Sequence, residues 1–263
     1  MEFKDRLPSE GINSSQAHPL KDFAVLLAGV LVLALGLFWA LSFALGVGIR
    51  FIPPKAEARL FRGFRDQLAE VFPNAEDPER QEQLSAQLGR LVASWPEAPF
   101  AFELALIEED EPNAMALPGG AILLTTGLLE AVDSENGLAF VLAHELGHYA
   151  HRDHLRSLSR GLALGAVMAL VTGSGSSAAG DVVRLSGEIS NRRFSQSQES
   201  AADLFALELL HERYGHVGGA TEFFECILET DGGSSAFLAT HPAPQARIDR
   251  LREVIALHNW SVP

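Results

Sequence analysis

The chain has 263 residues, 47% of them hydrophobic, a single cysteine and a formal charge of −14 at neutral pH. That acidity excludes a nucleic-acid partner, because no basic cluster offsets the phosphate repulsion. The lone thiol, Cys226, excludes an internal disulfide. Residues 1–22 read as a polar, poorly ordered tail. Phe23–Ile49 follows as 27 residues without a charge, FAVLLAGVLVLALGLFWALSFALGVGI. At about 1.5 Å per residue this run exceeds the roughly 30 Å hydrocarbon core of a bilayer. It also lacks the polar face that a buried globular helix of that length usually carries. A cleaved signal peptide ending at Ser42-Phe43-Ala44 is the alternative, but its apolar region would be about twice the usual length. The expectation is a retained, single-pass transmembrane helix over 23–49 in the cell (inner) membrane. The cations after it, Arg50, Lys55, Arg59, Arg62 and Arg65, outnumber Lys4, Arg6 and Lys21 before it. That imbalance leans towards a cytosolic domain.

Ile52-Pro53-Pro54 breaks the helix and makes a short stiff joint. Helices are expected over Ala56–Val71 and Pro78–Ser94, the second with Leu84, Leu88 and Leu91 on one face. Phe100–Glu108 reads as a strand and Glu108–Asn113 as a turn. AMAL, PGG and AILLT, Ala114 to Thr125, read as two short strands about a tight turn. Helices dominate from there: Thr126–Ala131, Ser134 to about Arg152 with Ser134 or Asn136 as cap, Ser186–Glu212, Gly219–Glu229 and Pro244–Leu257. Glu229–Pro242 is expected to be a loop. Gly161–Gly180 is a second uncharged run, whose Gly- and Ser-rich second half is too weakly apolar for a span. It reads as a buried or membrane-grazing hairpin. The fold class is α+β, mostly α, with a small three-stranded sheet, in one domain over 50–263.

His144, Glu145 and His148 form H-E-x-x-H within FVLAHELGHYAHRDH. Successive helical residues turn by about 100°, so the two histidines lie one turn apart and about 40° round from each other. Two imidazoles so placed can converge on one Zn²⁺, and Glu145 is placed to meet a water on it. The surrounding apolar run makes this more than an accident of spacing, since unpaired polar groups there would cost several kcal/mol. His151 is about 10.5 Å from His144 along a continuous helix and cannot share the same ion. His154 would complete an eleven-residue metzincin pattern, but that pattern needs Gly where His151 stands. Both are expected at the surface or supporting a ligand. A third ligand has to come from elsewhere. Glu199 and Asp203, in SQSQESAAD, are four apart and share a helix face. Spacing fits either a ligand with a hydrogen-bonding supporter or two acids on a solvated face.

These segments resemble the zinc metallopeptidases that include the CAAX prenyl proteases and the bacterial heat-shock protease HtpX. The resemblance runs from about Glu57 to Leu257. It rests on four ordered matches: NAMALPGGAILLTTGLL from Asn113, HELGH from His144, ESAAD from Glu199 and HPAPQARI from His241. It implies a zincin-like fold of the gluzincin type, with His144, His148 and Glu199 holding one Zn²⁺ per chain and Glu145 as general base. It implies that Asp203 orients a ligand and that Arg247 holds His241 or the acidic helix. It also implies that Asn113, Ala114, Met115, Ala116 and Leu117 grip an extended substrate backbone by strand addition. His241 would stabilise the oxyanion; capping the loop before Pro242, or filling the open metal position in a latent enzyme, are its other readings. The prenyl proteases and HtpX have more membrane spans than this chain shows, so a prenylated substrate gains no support. The function implied is a zinc endopeptidase anchored in the lipid bilayer that degrades unfolded or misfolded polypeptides in protein quality control. A holdase binding unfolded chains at the same strand, with little cleavage, is the alternative. A purely structural zinc site leaves Glu145 without a use.

Overall fold

The computed structural model describes residues 18–61, 74–172, 194–231 and 236–263. The first helix, α1 (Pro19–Ile49), is the one described helix long and apolar enough to cross a membrane. After the Pro53 break, α2 (Pro54–Leu60) is a short helix started by Pro54. The rest of the helix expected over Ala56–Val71 lies outside the described residues, as does most of the N-terminal tail. The next helix, α3 (Pro78–Ala93), is capped by Asp77, whose Oδ1 accepts the Arg80 N–H at 2.9 Å. It buries Leu84, Leu88 and Leu91, the face that periodicity marks.

Strands β1 (Glu103–Ile107), β2 (Ala114–Leu117) and β3 (Ala121–Thr125) form one sheet in the order β1-β3-β2. β1 runs parallel to β3. β2 pairs antiparallel with β3, Ala116 opposite Ile122. Gly119 and Gly120, in the turn between them, have φ of +92° and +94°, where a Cβ is strained. The sheet order leaves β2 at an edge, against the helix that follows.

After α4 (Thr126–Ala131) comes α5 (Glu135–Ala150), started by Ser134, whose Oγ accepts the Gly137 N–H at 2.9 Å. Every α5 residue from Gly137 to Tyr149 is buried; a helix enclosed on all sides is the centre of its domain. It ends where Arg152 adopts φ +57°, and α6 (Asp153–Thr172) departs in a new direction. The first half of the uncharged run after Gly161 is thus helical, and its second half lies outside the described residues.

The long helix expected from Ser186 is shorter at its start: α7 (Gln196–Tyr214) begins at a Ser195–Gln198 capping box and stops at Gly215. Residues 186–193 lie outside the described set. α8 (Glu222–Asp231) and α10 (Pro244–His258) match expectation closely, but α9 (Ala236–Thr240) is a short helix inside the expected loop Glu229–Pro242. Phe237 of α9 is buried with Phe140, Phe223 and Phe224, and that apolar contact holds five residues helical where sequence shows only a linker.

α7 lies along α5 at close range because Gly147 has no side chain. A Cβ there would sit 2.9 Å from the Ala202 Cα and 3.0 Å from its carbonyl oxygen, both backbone atoms. Gly147→Ala is therefore expected to force α7 outward, destabilising the protein by about 1–3 kcal/mol. It should also weaken metal binding, because Glu199 rides on α7. Thermal unfolding and metal titration of the variant measure the two effects.

His151 and His154 are not in the metal cluster. His151 turns back on its own helix, Nδ1 lying 2.8 Å from the Gly147 carbonyl. His154, expected at the surface or beside a ligand, is instead buried away from the cluster. Its Nε2 is 2.9 Å from Glu57 Oε1, which also accepts the Gly119 N–H at 2.9 Å. Arg152 donates to the Ile49 and Ile52 carbonyls at 2.6 Å each. These contacts bolt the end of α1 and the start of α2 to the end of α5.

Candidate metal centre

One helical turn of α5 brings His144 and His148 side by side, their Nε2 atoms 3.2 Å apart. Glu199, in the first turn of α7, places Oε2 3.6 Å from His144 Nε2 and Oε1 3.6 Å from His148 Nε2. His241, just after α9, enters from the other side. Its Nδ1 is 3.3 Å from His144 Nε2 and 3.0 Å from Glu199 Oε1. The four residues are buried, with a ligand atom from each within 4.8 Å of every other. Four donors about 2.0–2.1 Å from a common tetrahedral centre stand roughly 3.3 Å apart. The observed separations suit that centre, and nitrogen and carboxylate donors suit a borderline divalent ion such as zinc. The group can therefore hold a metal ion.

Each α5 imidazole is held from behind. His144 Nδ1 lies 3.0 Å from Asp203 Oδ1, and His148 Nδ1 lies 3.1 Å from Asp153 Oδ2. A carboxylate at Nδ1 accepts the ring N–H there, which keeps the proton on Nδ1 and leaves Nε2 with a lone pair for the cluster. Asp153 is itself fixed by Gln198, whose Nε2 donates to Oδ1 at 2.7 Å. Phe194 lies flat on His148, ring centroids 3.9 Å apart. Arg247 spans both acids of α7: Nε and Nη2 reach Asp203 at 2.9 and 2.5 Å, and Nη1 reaches Glu199 at 2.5 Å.

Burial of His148 lowers its pKa to about 3; His144 and His241 act in the same direction, against the Asp153 hydrogen bond and the Glu199 charge. The neutral ring is the form that binds metal. Below the ordinary histidine value of 6.5 the unfolded chain takes up a proton that the folded chain refuses, so stability falls as pH drops. The slope is about 1.4 kcal/mol per pH unit down to the folded pKa. The metal-free protein is thus expected to lose about 2 kcal/mol between pH 6.5 and 4.5. Urea unfolding across that range measures it, and His148→Gln should flatten the profile.

Glu145 stands between the cluster and β2, and its Oε2 accepts the Ala116 N–H at 2.8 Å. Its Oε1 is 3.8 Å from His241 Nε2. Ala114, Ala116, Glu145, Phe194 and His241 are among the residues around a cavity of only about 10 Å³, room for about one water. Asn113, just before β2, is held by Thr125: its N–H donates to Oγ1 at 2.8 Å. Ala114, Met115, Ala116 and Leu117 make up β2, and all four are buried.

The structure therefore brings His144, Glu145, His148, Glu199, Asp203, His241 and Arg247 to one place, with the 113–117 segment along its edge. Asp153, Gln198 and Phe194 belong to it as well, though sequence reasoning passes them over. Asp153 carries a faint signal, an acid five residues beyond His148, which becomes meaningful only once Arg152 turns the chain back.

A mostly helical domain with a small mixed sheet, its central helix offering two imidazoles to a glutamate from a second helix, defines a metallohydrolase-type centre. The sequence model of peptidase family M48 matches residues 75–255, and the chain belongs to that family. It is 29% identical over 181 residues to the mitochondrial metalloendopeptidase OMA1 of Schizosaccharomyces pombe, covering 65% of this chain and 51% of that one. It is 30% identical over 196 residues to the beta-barrel assembly-enhancing protease of Escherichia coli, covering 69% and 40%. With the E. coli metalloprotease LoiP it shares 26% identity over 194 residues, covering 72% and 75%. The chain thus spans about half or less of the length of the first two relatives.

Proposed function

We propose that this chain is a membrane-anchored, zinc-dependent endopeptidase that hydrolyses peptide bonds in unfolded or damaged polypeptides. Residues 50–263 would form the peptidase domain, hung from an anchor over 23–49 after a polar tail over 1–22. The observation that carries the reading is the tetrahedral spacing of buried donors from His144, His148, Glu199 and His241, with Glu145 Oε1 3.8 Å from His241 Nε2. His144, His148 and Glu199 would hold one Zn²⁺ per chain. A bound ion would supply Lewis acidity there, enough to bring water towards a pKa of about 7 and to polarise a carbonyl. Glu145 takes the proton of the attacking water and passes it to the leaving amine. Asp203 and Asp153 hold the imidazoles in the ligating tautomer, and Arg247 holds Glu199 and Asp203. Residues 113–117 offer backbone groups to an extended substrate, so selection is by lack of structure rather than by side chain.

His241 reaches the position where a fourth ligand would stand. Substrate entry therefore requires it to swing aside, after which its ring is close enough to donate to the developing oxyanion. The length and apolar character of α1 support a membrane location. The cations on its C-terminal side favour the cytosolic face of the inner membrane. The holdase reading draws on the small cavity, which leaves little space for a substrate in this arrangement.

The test is casein digestion by the full chain in detergent. Chelation is expected to stop it, and one equivalent of Zn²⁺ to restore it. Digestion indifferent to chelator would overturn the zinc mechanism, and no digestion by the zinc-loaded protein would favour the holdase.

A further inference from the structure

α1 is not solitary in the structure: its main packing partner among the described elements is α6. Because Arg152 fixes the end of α1 beside the start of α6, the second helix runs back antiparallel along the first. The contact has two facing stripes at helical spacing. On α1, Ala34, Phe38, Leu41, Ser42 and Gly46 are part-buried and Ile49 is buried in a helix exposed elsewhere; on α6, Ala163 and Val167 are buried. To either side of that stripe α6 exposes Leu162, Leu164, Met168, Leu170 and Val171, with Leu170 at 71%. No charge occurs in α6 after Arg160.

We propose that the C-terminal half of α6, Gly161 to Val171, is embedded in the lipid bilayer against α1, and that its exposed leucines face acyl chains. Five exposed large apolar side chains within ten residues of one helix are costly in water, at about 25 cal/mol per Å² of apolar surface. They continue the surface of the one helix that is itself built to meet lipid. The segment from Gly161 to Val171 is about 16 Å long, half the hydrocarbon thickness, so it enters the membrane without crossing it. Its entry is marked by charge: Arg156 and Arg160 are exposed in the preceding turns of α6, and Arg50 stands at the matching end of α1. Arginines at that level keep their guanidinium groups among the lipid headgroups.

The consequence concerns the substrate, and it rests on the peptidase reading above. Asp153, which holds His148, is eight residues before Gly161, about 12 Å along α6. The cluster then stands directly over the bilayer surface, and the class of polypeptide it meets is a chain segment emerging from or lying on the membrane.

The test does not use activity. In a Cys226→Ser background, nitroxide labels are placed at Leu164→Cys and Leu170→Cys, with Leu31→Cys on α1 and Glu208→Cys on α7 as references. The full chain is reconstituted in phosphatidylcholine–phosphatidylglycerol vesicles. Collision with oxygen, which concentrates in lipid, is compared with collision with a water-soluble nickel chelate. Positions 164 and 170 are expected to match 31, with oxygen favoured severalfold over nickel. Nickel accessibility equal to that at 208 would place the face in water and overturn the proposal. Low accessibility to both reagents would place it against protein, which equally overturns it. Nickel access at 31 as well would mean that the anchor itself fails, an outcome separate from any failure of peptidase chemistry.

Discussion

Glu145→Gln is expected to lower the rate of peptide hydrolysis by about 10²–10⁴-fold while leaving the zinc content unchanged. Glu145 does not belong to the four-residue donor group, and its placement depends on the Ala116 N–H rather than on a ligand atom. A glutamine carbonyl oxygen can accept that same N–H, so the side chain stays where it is and only its basicity is lost. The loss therefore falls on proton transfer, not on binding. Initial rates on casein, measured beside zinc per chain, test both halves of the statement. If zinc leaves with the substitution, Glu145 is closer to a ligand than to a base. If the variant digests casein at the parental rate, the assigned base is wrong. A holdase gives a third pattern, in which parent and variant bind unfolded chain equally and neither cleaves it appreciably.

The donor pair on α5 is legible in sequence because its geometry is local: a four-residue step on a helix fixes the angle between two imidazoles whatever the tertiary fold. Glu199 is different. Its spacing to Asp203 marks a shared face but not what that face meets, and four motifs taken together are what tie it to the HELGH helix. The start of α7 is also readable, since Ser195-Gln196-Ser197-Gln198 carries a capping-box pattern that marks a boundary more sharply than the apolar periodicity suggesting Ser186.

Other parts carry no one-dimensional signal. Asp153 reaches His148 only because Arg152 enters the left-handed region and reverses the chain. Glu57 and His154 are 97 residues apart, and nothing in either neighbourhood announces a buried pair. Phe237 keeps α9 helical through contacts with α5 and α8 side chains, so a five-residue helix appears where local composition suggests a linker. The close approach at Gly147 lies between these cases. A glycine in a buried helix hints at tight packing, yet only the fold shows that Ala202 is what comes close.

Arg247→Met is expected to destabilise the metal-free protein by about 3–5 kcal/mol at pH 7. Arg247 is buried, pairs with Asp203 and Glu199, and lies with its guanidinium carbon 4.3 Å from the centre of the Phe224 ring. Methionine preserves much of the volume and the contact with Phe224, so the loss is mainly electrostatic. Burial alone would raise the pKa of Asp203. The Arg247 charge and the His144 hydrogen bond prevail and hold that carboxyl well below the ordinary range. Burial would likewise lower the pKa of Arg247, and the two carboxylates raise it instead. Because the folded pKa of Asp203 is depressed, its contribution is present above the unfolded value of about 3.9 and is lost as pH falls below it. Without Arg247 the balance reverses: the folded carboxyl prefers to be protonated, and acid relieves the strain of a buried, unmatched charge. The stability gap between the parent and Arg247→Met should therefore be largest near neutral pH and shrink towards pH 4. A gap caused by lost packing would stay constant across that range. Adding Asp203→Asn to the variant should recover part of the deficit by removing one of the stranded charges. Urea unfolding of the parent, the single variant and the double variant, each at pH 7 and pH 4, separates the two causes. A pH-independent deficit with no recovery would assign Arg247 to packing alone.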